Sequence, residues 1–235
     1  MNLSGKIVVI TGASDGIGKQ IALRLAKEHV SLALIARDKE KLQNVKDKIE
    51  KISSSTAAIY CCDLGKREDL DEVVKKIILD FGFIDILINN AGIWQKLAPL
   101  EEIDIDVVDR VIGINLIALI KLTKLFIPVL KSREEAAIIN VISKSGITAQ
   151  EGQSVYTASK YGVRGFTEVL KIDLKDSNIK VAGLYQGGTD TEMFKKAGEN
   201  FSTSDFTDPT DLADVVSYML SAPKKLWLHD VRIDR

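Results

Sequence analysis

Thr11-Gly12-Ala13-Ser14-Asp15-Gly16-Ile17-Gly18 follows the apolar run Ile7–Ile10 and opens an amphipathic stretch, Ile17–Glu28. Glycines at these positions let the backbone turn tightly and come close to an anion. The helix that follows presents free N–H groups at its N-terminus, where a pyrophosphate can sit. By itself such a turn reads equally well as a tight strand-to-helix loop. The strand before it and the helix after it favour a dinucleotide site, although the spacing is T-G-x-x-x-G-x-G and not G-x-G-x-x-G.

The same alternation continues along the chain. Ile7–Ile10, Leu32–Ala36, Ala57–Cys61, Ile84–Ile88, Ala137–Ile142 and Lys180–Leu184 are short apolar runs that read as buried strands. Ile17–Glu28, Lys39–Lys51, Arg67–Phe81, Ile105–Leu130 and Val155–Lys175 carry helical periodicity between them. Strands alternating with helices predict an α/β fold, a Rossmann-like doubly wound parallel sheet with helices on both faces. Ligands of such sheets bind beyond the carboxyl ends of the strands, where the strand order reverses. Ser53–Thr56 is short enough to be one loop, and no repeat is evident, so residues 1–235 read as a single dinucleotide-binding domain. Asp208-Pro209 predicts an N-cap with proline in the first turn of a helix Thr210–Leu220, and Leu226–Ile233 a last strand. Thr191–Thr207 lacks periodicity; it is either a surface loop or a lid over substrate.

The chain has 235 residues, 46% hydrophobic and 28% charged, with a formal net charge of -1. That balance supports a full core and gives no electrostatic reason to expect nucleic acid or an anionic membrane as partner. The cysteines, Cys61 and Cys62, are adjacent and cannot staple distant segments, which fits a reducing, cytoplasmic setting. A strand-like run starts almost at the first residue, so no signal pattern is expected. Val111–Leu130 is apolar but holds Asn115, Lys121 and Lys124, which argues against a membrane span. His29 and His229 lie far apart without a ligand cluster, and no metal site is expected.

Four further motifs follow the glycine turn in order. Asn89-Asn90-Ala91-Gly92 ends the fourth strand; Asn115 lies in Gly113-Ile114-Asn115-Leu116; Ser143 lies in Ile142-Ser143-Lys144-Ser145-Gly146; and Tyr156-Thr157-Ala158-Ser159-Lys160 reads Y-x-x-x-K. Together they resemble the short-chain dehydrogenase/reductase family over nearly the whole chain, including the family's spacing of thirteen residues from serine to tyrosine. The resemblance implies an enzyme that interconverts a carbonyl and an alcohol with NAD(P)(H), with Asn115, Ser143, Tyr156 and Lys160 as its catalytic set. It implies a cofactor site built from Gly12, Ser14, Asp15, Gly16, Ile17, Gly18, Arg37, Asp63, Leu64, Asn90, Ala91, Gly92, Tyr156, Lys160, Gly187, Thr189 and Thr191. In it Asp63-Leu64 would meet the adenine and Gly187 through Thr191 the nicotinamide carboxamide. A non-catalytic dinucleotide sensor on the same scaffold is the alternative.

The residue types suit the chemistry. Hydride arriving on a carbonyl carbon leaves charge on oxygen, and a donor must meet it. A free tyrosine has a pKa of about 10. Lys160, four residues on, shares a helical face with Tyr156, and its ammonium is expected to lower that value. The resemblance gives Lys160 a second role on the nicotinamide ribose, Ser143 the substrate oxygen, and Asn115 a water leading from Lys160 to solvent. Each residue also has an ordinary reading: Tyr156 a core tyrosine, Lys160 a solvated lysine, Ser143 a strand-end cap.

Aligned on the glycine turn, the position where NAD-binding relatives carry an acid is Ala36, followed by Arg37. A guanidinium there can fork onto a 2′-phosphate, which favours NADP(H) over NAD(H). Asp38 could instead reach a ribose or cap the next helix, and Asp15 stands where NADP-binding relatives are often basic. Gln186 replaces the family's usual proline before Gly187. Trp94, Gln95, Ser143, Gln153, Gln186 and Met193 are candidate substrate contacts, with Ile147, Tyr185 and Phe194 as further pocket candidates, for a small-molecule carbonyl or alcohol. Helices 111–130 and 155–175 carry more apolar residues than one face requires, which predicts self-association through them. Arg232, Asp234 and Arg235 make the last strand's end highly charged, which favours a dimer over a tetramer.

Overall fold

A computed structural model describes residues 1–223 and 225–234; Arg235 lies outside the described residues. Seven parallel strands form one sheet: β1 (Ile7–Thr11), β2 (Ser31–Ala36), β3 (Thr56–Cys61), β4 (Ile86–Asn89), β5 (Ala136–Val141), β6 (Ile179–Gln186) and β7 (Asp230–Ile233). The order is β3-β2-β1-β4-β5-β6-β7, so the winding reverses between β1 and β4. The glycine turn therefore leaves β1 at the crevice where such sheets bind ligands.

The described residues form eight α-helices: α1 (Gly16–Ala26), α2 (Lys39–Ile52), α3 (Arg67–Phe81), α4 (Ile105–Ile112), α5 (Leu119–Lys131), α6 (Ser154–Asp173), α7 (Met193–Lys196) and α8 (Pro209–Ser221). Side chains alternate along each strand, so each strand feeds two cores. Val8, Ile10, Leu32, Leu34, Ile88 and Leu184 pack under α1, α2 and α8 through Ile21, Leu25, Leu42, Val216 and Met219. Val9, Ile35, Leu87, Ile138 and Val181 pack under α3, α5 and α6 through Ile77, Leu122, Phe126 and Leu170. Each such buried side chain contributes about 1.5–3 kcal/mol relative to exposure.

Capping behaves as composition predicts. Asp208 accepts from the Thr210 N–H at 2.7 Å ahead of Pro209, and Asp38 accepts from the Lys41 N–H at 3.0 Å at the start of α2. Three expectations need correction. The last strand is Asp230–Ile233; Trp227 and Leu228 pack on the core from a loop, with the indole donating to the Val181 carbonyl at 3.0 Å. The fourth strand starts at Ile86, because the buried Asp85 carboxylate turns to the Ile7 N–H and to Lys6 and Arg133. The helix read as Ile105–Leu130 contains a π turn at Gly113–Ala118, and that turn carries Asn115.

By length and composition Ile105–Lys131 could cross a membrane, with a mean hydropathy of 1.8. Here Leu122, Thr123 and Phe126 bury its inner face against the sheet, as in a core helix. At the C-terminal end, Asp234 pairs with Lys144 at 2.8 Å.

Candidate active site

The glycine turn is closed by Thr11 and Asn90. The Thr11 hydroxyl accepts from the Asn90 and Ala91 N–H groups, both at 3.0 Å, and the Asn90 amide donates to the Thr11 carbonyl at 2.9 Å. A Cβ on Gly12, where φ is +66°, would lie 2.9 Å from both the Asn90 amide and the Ala91 Cα. A Cβ on Gly18 would collide with the Asn90 amide and the Gly12 carbonyl. These glycines keep the turn tight against β4 with the α1 N-terminus facing the crevice, a cradle suited to a pyrophosphate. Asp15 caps α1, accepting from the Gly16 N–H at 2.8 Å. Burial alone would raise its pKa, but bonds from Lys196 and the Gly16 N–H, with Lys41 nearby, hold it below the usual carboxylate value. Its charge is thus offset beside an anion site.

Around the crevice, Ser14 and Ile17 are half-buried on the turn, and Arg37 is exposed at the end of β2 with no ion pair among the described residues. Asp63 accepts from the Gly65 N–H at 3.1 Å and Leu64 is buried. Beyond β6, the buried Thr189 bridges to Thr207, and the Thr191 methyl lies 3.0 Å from where a Cβ on Gly16 would be.

Ser143, Tyr156 and Lys160 meet at the carboxyl end of β5. Ser143 has φ +141° and ψ 156°, a region that L residues rarely adopt, and its hydroxyl accepts from the Ser145 N–H at 3.1 Å. Tyr156 is buried; desolvation pushes its hydroxyl up to about 12, while a hydrogen bond with Ser143 works the other way. Lys160 is also buried, which lowers its ammonium to about 8. Its Nζ donates to the Val141 carbonyl at 3.3 Å and stands 5.6 Å from the Tyr156 ring centroid. The expected lowering by Lys160 is not among the influences on Tyr156, which burial dominates, and the lysine is turned to a backbone carbonyl.

The π turn points Asn115 inward. Its Oδ1 accepts from the Ile93 N–H at 2.8 Å, and its amide donates to the Ile93 carbonyl at 3.0 Å and to Ser159 Oγ at 3.1 Å. Ser159 in turn donates to the Tyr156 carbonyl at 2.6 Å. A Cβ on Gly92 would lie 3.3 Å from Asn115 Oδ1 and 3.6 Å from Lys160 Nζ, so Gly92 borders both side chains. π turns recur at functional sites because the extra residue re-aims a side chain.

Several substrate candidates have other work. Gln95 is bonded at both ends: its Oε1 accepts from the Tyr156 N–H at 2.8 Å and its amide donates to the Gly152 carbonyl at 3.0 Å. It clamps the start of α6. Gln153 accepts from Ser145 Oγ at 2.9 Å and donates to Gln150 at 2.7 Å, bracing the Ser143 loop instead. Tyr185 points into the core with Ile142 and Val163, because strand alternation sends it away from the crevice. Trp94 does stand over the site, its ring centroid 4.5 Å from that of Tyr156, and Phe194 packs on Trp94 at 5.1 Å. Met193 begins α7 close by and is half-buried.

The segment Thr191–Thr207 is tied down at several places, among them two long-range polar contacts. Lys196 pairs with Asp15 at 2.6 Å, and Glu199 accepts from the Trp94 indole at 2.9 Å and the Leu97 N–H at 2.8 Å. It covers the site as a lid would. Its outer side holds a hollow of about 500 Å³ bordered by Asp190, Phe194, Glu199 and Phe201, which includes neither Ser143 nor Tyr156. Sequence reasoning missed Thr11, Ser159, Lys196 and Glu199. For Thr11 and Ser159 the signal was present, since both lie inside quoted motifs. Among the described residues no three His, Cys, Asp or Glu side chains converge as a metal site would require.

A glycine turn at the switch point and a Ser/Tyr/Lys group two strands along at the end of β5 are the arrangement of a dinucleotide-dependent oxidoreductase. The profile of the short chain dehydrogenase family matches residues 6–202. The chain is 31% identical over 232 residues to an uncharacterised oxidoreductase of Staphylococcus aureus strain MRSA252, covering 98% of this chain and 97% of that one. It is similar to a 3-ketoacyl-(acyl-carrier-protein) reductase from Brucella melitensis complexed with NADH, with TM-score 0.89, 28% identity, and 98% and 97% of the two chains covered. It is similar also to an alcohol dehydrogenase from the archaeon Thermococcus sibiricus complexed with 5-hydroxy-NADP, with TM-score 0.90, 25% identity, and 98% and 96% covered. The chain belongs to the short-chain dehydrogenase/reductase family. It is an enzyme acting on CH–OH and C=O groups with a nicotinamide dinucleotide.

Proposed function

We propose that this enzyme reduces a small-molecule carbonyl, a ketone, aldehyde or 3-oxoacyl group, to the alcohol with NADPH, and that Tyr156 delivers the proton. The observation that carries this reading is the Tyr156 hydroxyl buried with Ser143 and the Lys160 ammonium at the carboxyl end of β5. The nicotinamide, when bound, supplies the hydride. Ser143 holds the carbonyl oxygen beside Tyr156. As negative charge builds on that oxygen, the Tyr156 proton moves to it. Lys160, with a value of about 8, is still mostly ammonium at neutral pH and stabilises the phenolate left behind. Asn115 and Ser159 fix the backbone that holds both.

Gly12, Ser14, Gly16, Ile17 and Gly18 would carry the pyrophosphate, Asp63 and Leu64 the adenine, Asn90, Ala91 and Gly92 the ribose side, and Gly187, Thr189 and Thr191 the nicotinamide. The NADPH preference rests on the exposed Arg37 and on Asp38, whose carboxylate is occupied by capping α2. Trp94 and Met193 would line the substrate side.

Self-association fits the same surface. Ile117, Val169 and Ile172 are 43%, 55% and 65% exposed on the helices that carry Asn115 and Tyr156. A second copy covering them would brace the catalytic helix, and sedimentation equilibrium distinguishes that dimer from a 25.9 kDa monomer. The adjacent free cysteines Cys61 and Cys62 suit a cytoplasmic enzyme. The experiment for the main reading is loss of NADPH or NADH absorbance against a panel of ketones, aldehydes and 3-oxoacyl thioesters. Turnover faster with NADPH supports it. Tight dinucleotide binding without turnover of any carbonyl or alcohol would favour a sensor.

A further inference from the structure

The helix that carries Tyr156 starts without a cap from its own sequence. Gln153 stands at the N-cap of α6, but its side chain forms no capping bond and faces Ser145 and Gln150. The first N–H groups of a helix have no partner inside it and need an acceptor from elsewhere. The Thr157 N–H already reaches the Gln153 carbonyl at 2.8 Å. The Tyr156 N–H, one residue earlier, is the third of the helix, a position that a capping side chain ordinarily serves.

The acceptor arrives from the loop after β4, 61 positions back in the chain. Gln95 is 1% exposed, and its Oε1 accepts from the Tyr156 N–H at 2.8 Å. Its amide donates to the Gly152 carbonyl at 3.0 Å, and the Ala98 N–H donates to the same carbonyl at 3.2 Å. Gly152 permits this approach: its φ is +73°, and a Cβ there would lie 3.3 Å from the Ala98 nitrogen. The residue before Gln95 holds the other side of the same tyrosine, since the Trp94 ring centroid is 4.5 Å from that of Tyr156. Consecutive residues of one loop therefore contact the backbone N–H and the ring of Tyr156. The loop is itself anchored. Thr11 of the glycine turn bonds Asn90 and Ala91, and Asn115 bonds Ile93. Hydrogen bonds thus run from the glycine turn along residues 90–95 to the catalytic tyrosine.

We propose that Gln95 is a positioning residue for the proton transfer: it caps α6 from the loop that also meets the glycine turn, and so fixes Tyr156 relative to the bound dinucleotide. Gln95 acts through Tyr156 and needs no contact with substrate to do so. The proposal rests on the reading above that Tyr156 delivers the proton. Its consequence is kinetic, because a displacement of about 1 Å at a reacting group costs on the order of 10² in rate.

The test uses Gln95→Met, which keeps the length and loses both bonds, and Gln95→Glu. A protonated glutamate offers an oxygen to the Tyr156 N–H and an O–H to the Gly152 carbonyl, as the amide does. Single-turnover rate at saturating carbonyl, carbonyl KM and dinucleotide Kd are measured for each, with Tyr156→Phe alongside. Gln95→Met should lose about 10- to 100-fold in single-turnover rate, with KM and Kd within about twofold of wild type. Gln95→Glu should stay within about threefold of wild type near pH 6, and should fall away from it as pH rises and a carboxylate oxygen comes to face the Gly152 carbonyl. Where methionine prevents folding, the glutamate variant decides by itself. A raised KM with an unchanged rate at saturation would make Gln95 a substrate contact and overturn the proposal. So would a folded, dinucleotide-binding Gln95→Glu that is slow by 10-fold or more near pH 6, on the order of the loss expected for methionine. A Tyr156→Phe variant that turns over like wild type overturns the proton-donor reading as well.

Discussion

The Asp15 carboxylate and the Lys196 ammonium meet at 2.6 Å across 181 positions of sequence, joining the cap of α1 to the segment that covers the candidate active site. Both side chains are partly exposed, so the pair is worth well under about 1 kcal/mol. Its effect is on opening. Lys196→Ala should speed dinucleotide release by about two- to fivefold in stopped-flow fluorescence and quicken proteolytic nicking within 191–207, with thermal stability nearly unchanged. Release and nicking at wild-type rates would show that the remaining contacts, Glu199 and Thr207 among them, hold the segment without Lys196.

Lys160 and Tyr156 give stability opposite dependences on pH. The folded Lys160 value, about 8, lies below the ordinary 10.5, so between these the unfolded chain binds more protons and stability rises with pH. The contribution is fully present above about 10.5 and is lost as pH falls through about 8. Its size is on the order of 3 kcal/mol. Tyr156, raised from 10 to about 12, stabilises below about 10 and loses that contribution as pH climbs to about 12. Urea unfolding of wild type and Lys160→Met from pH 7.5 to 10.5 checks this: the rise should be present in the first and absent in the second.

Ser143 combines a strained backbone with a cap. Ser143→Ala keeps the φ of +141° and loses the bond to the Ser145 N–H, whereas Ser143→Gly loses the same bond and relieves the strain. Glycine should be the more stable variant by about 1–3 kcal/mol in chemical denaturation, and both should lose carbonyl turnover. An alanine variant as stable as the glycine one would mean the backbone there is unstrained.

The sheet and most helices were legible because apolar runs and helical periods alternate cleanly and Asp38 and Asp208 mark helix starts. Leu226–Ile233 was overextended since Trp227 and Leu228 are apolar for packing and not for pairing. The π turn left no mark, because Gly113–Ala118 keeps the apolar composition of the flanking helix while its hydrogen bonds change. Ser143, Tyr156 and Lys160 came together as their motif order implied. The backbone and side-chain bonds of Gln95 and Gln153 were not legible, because an amide in a site loop looks the same whether it serves substrate or backbone; only the geometry shows Gln95 holding the Tyr156 N–H. The link from Asp15 to Lys196 joins residues with no pattern between them.

Arg37 is exposed beside Ala36, with Asp38 spent on capping α2. Arg37→Asp should shift kcat/KM from NADPH toward NADH by at least tenfold in ratio, by removing a phosphate partner and adding a carboxylate near the ribose. An unchanged ratio would move the cofactor preference away from this position.

The proposed chemistry turns on the Tyr156 proton. Its most direct measurement is the single-turnover rate of dinucleotide oxidation in Tyr156→Phe against wild type, with dinucleotide affinity and thermal midpoint measured alongside. A fall of about 10²- to 10⁴-fold with affinity and midpoint preserved is expected for loss of the general acid; a Phe variant that turns over like wild type would contradict it.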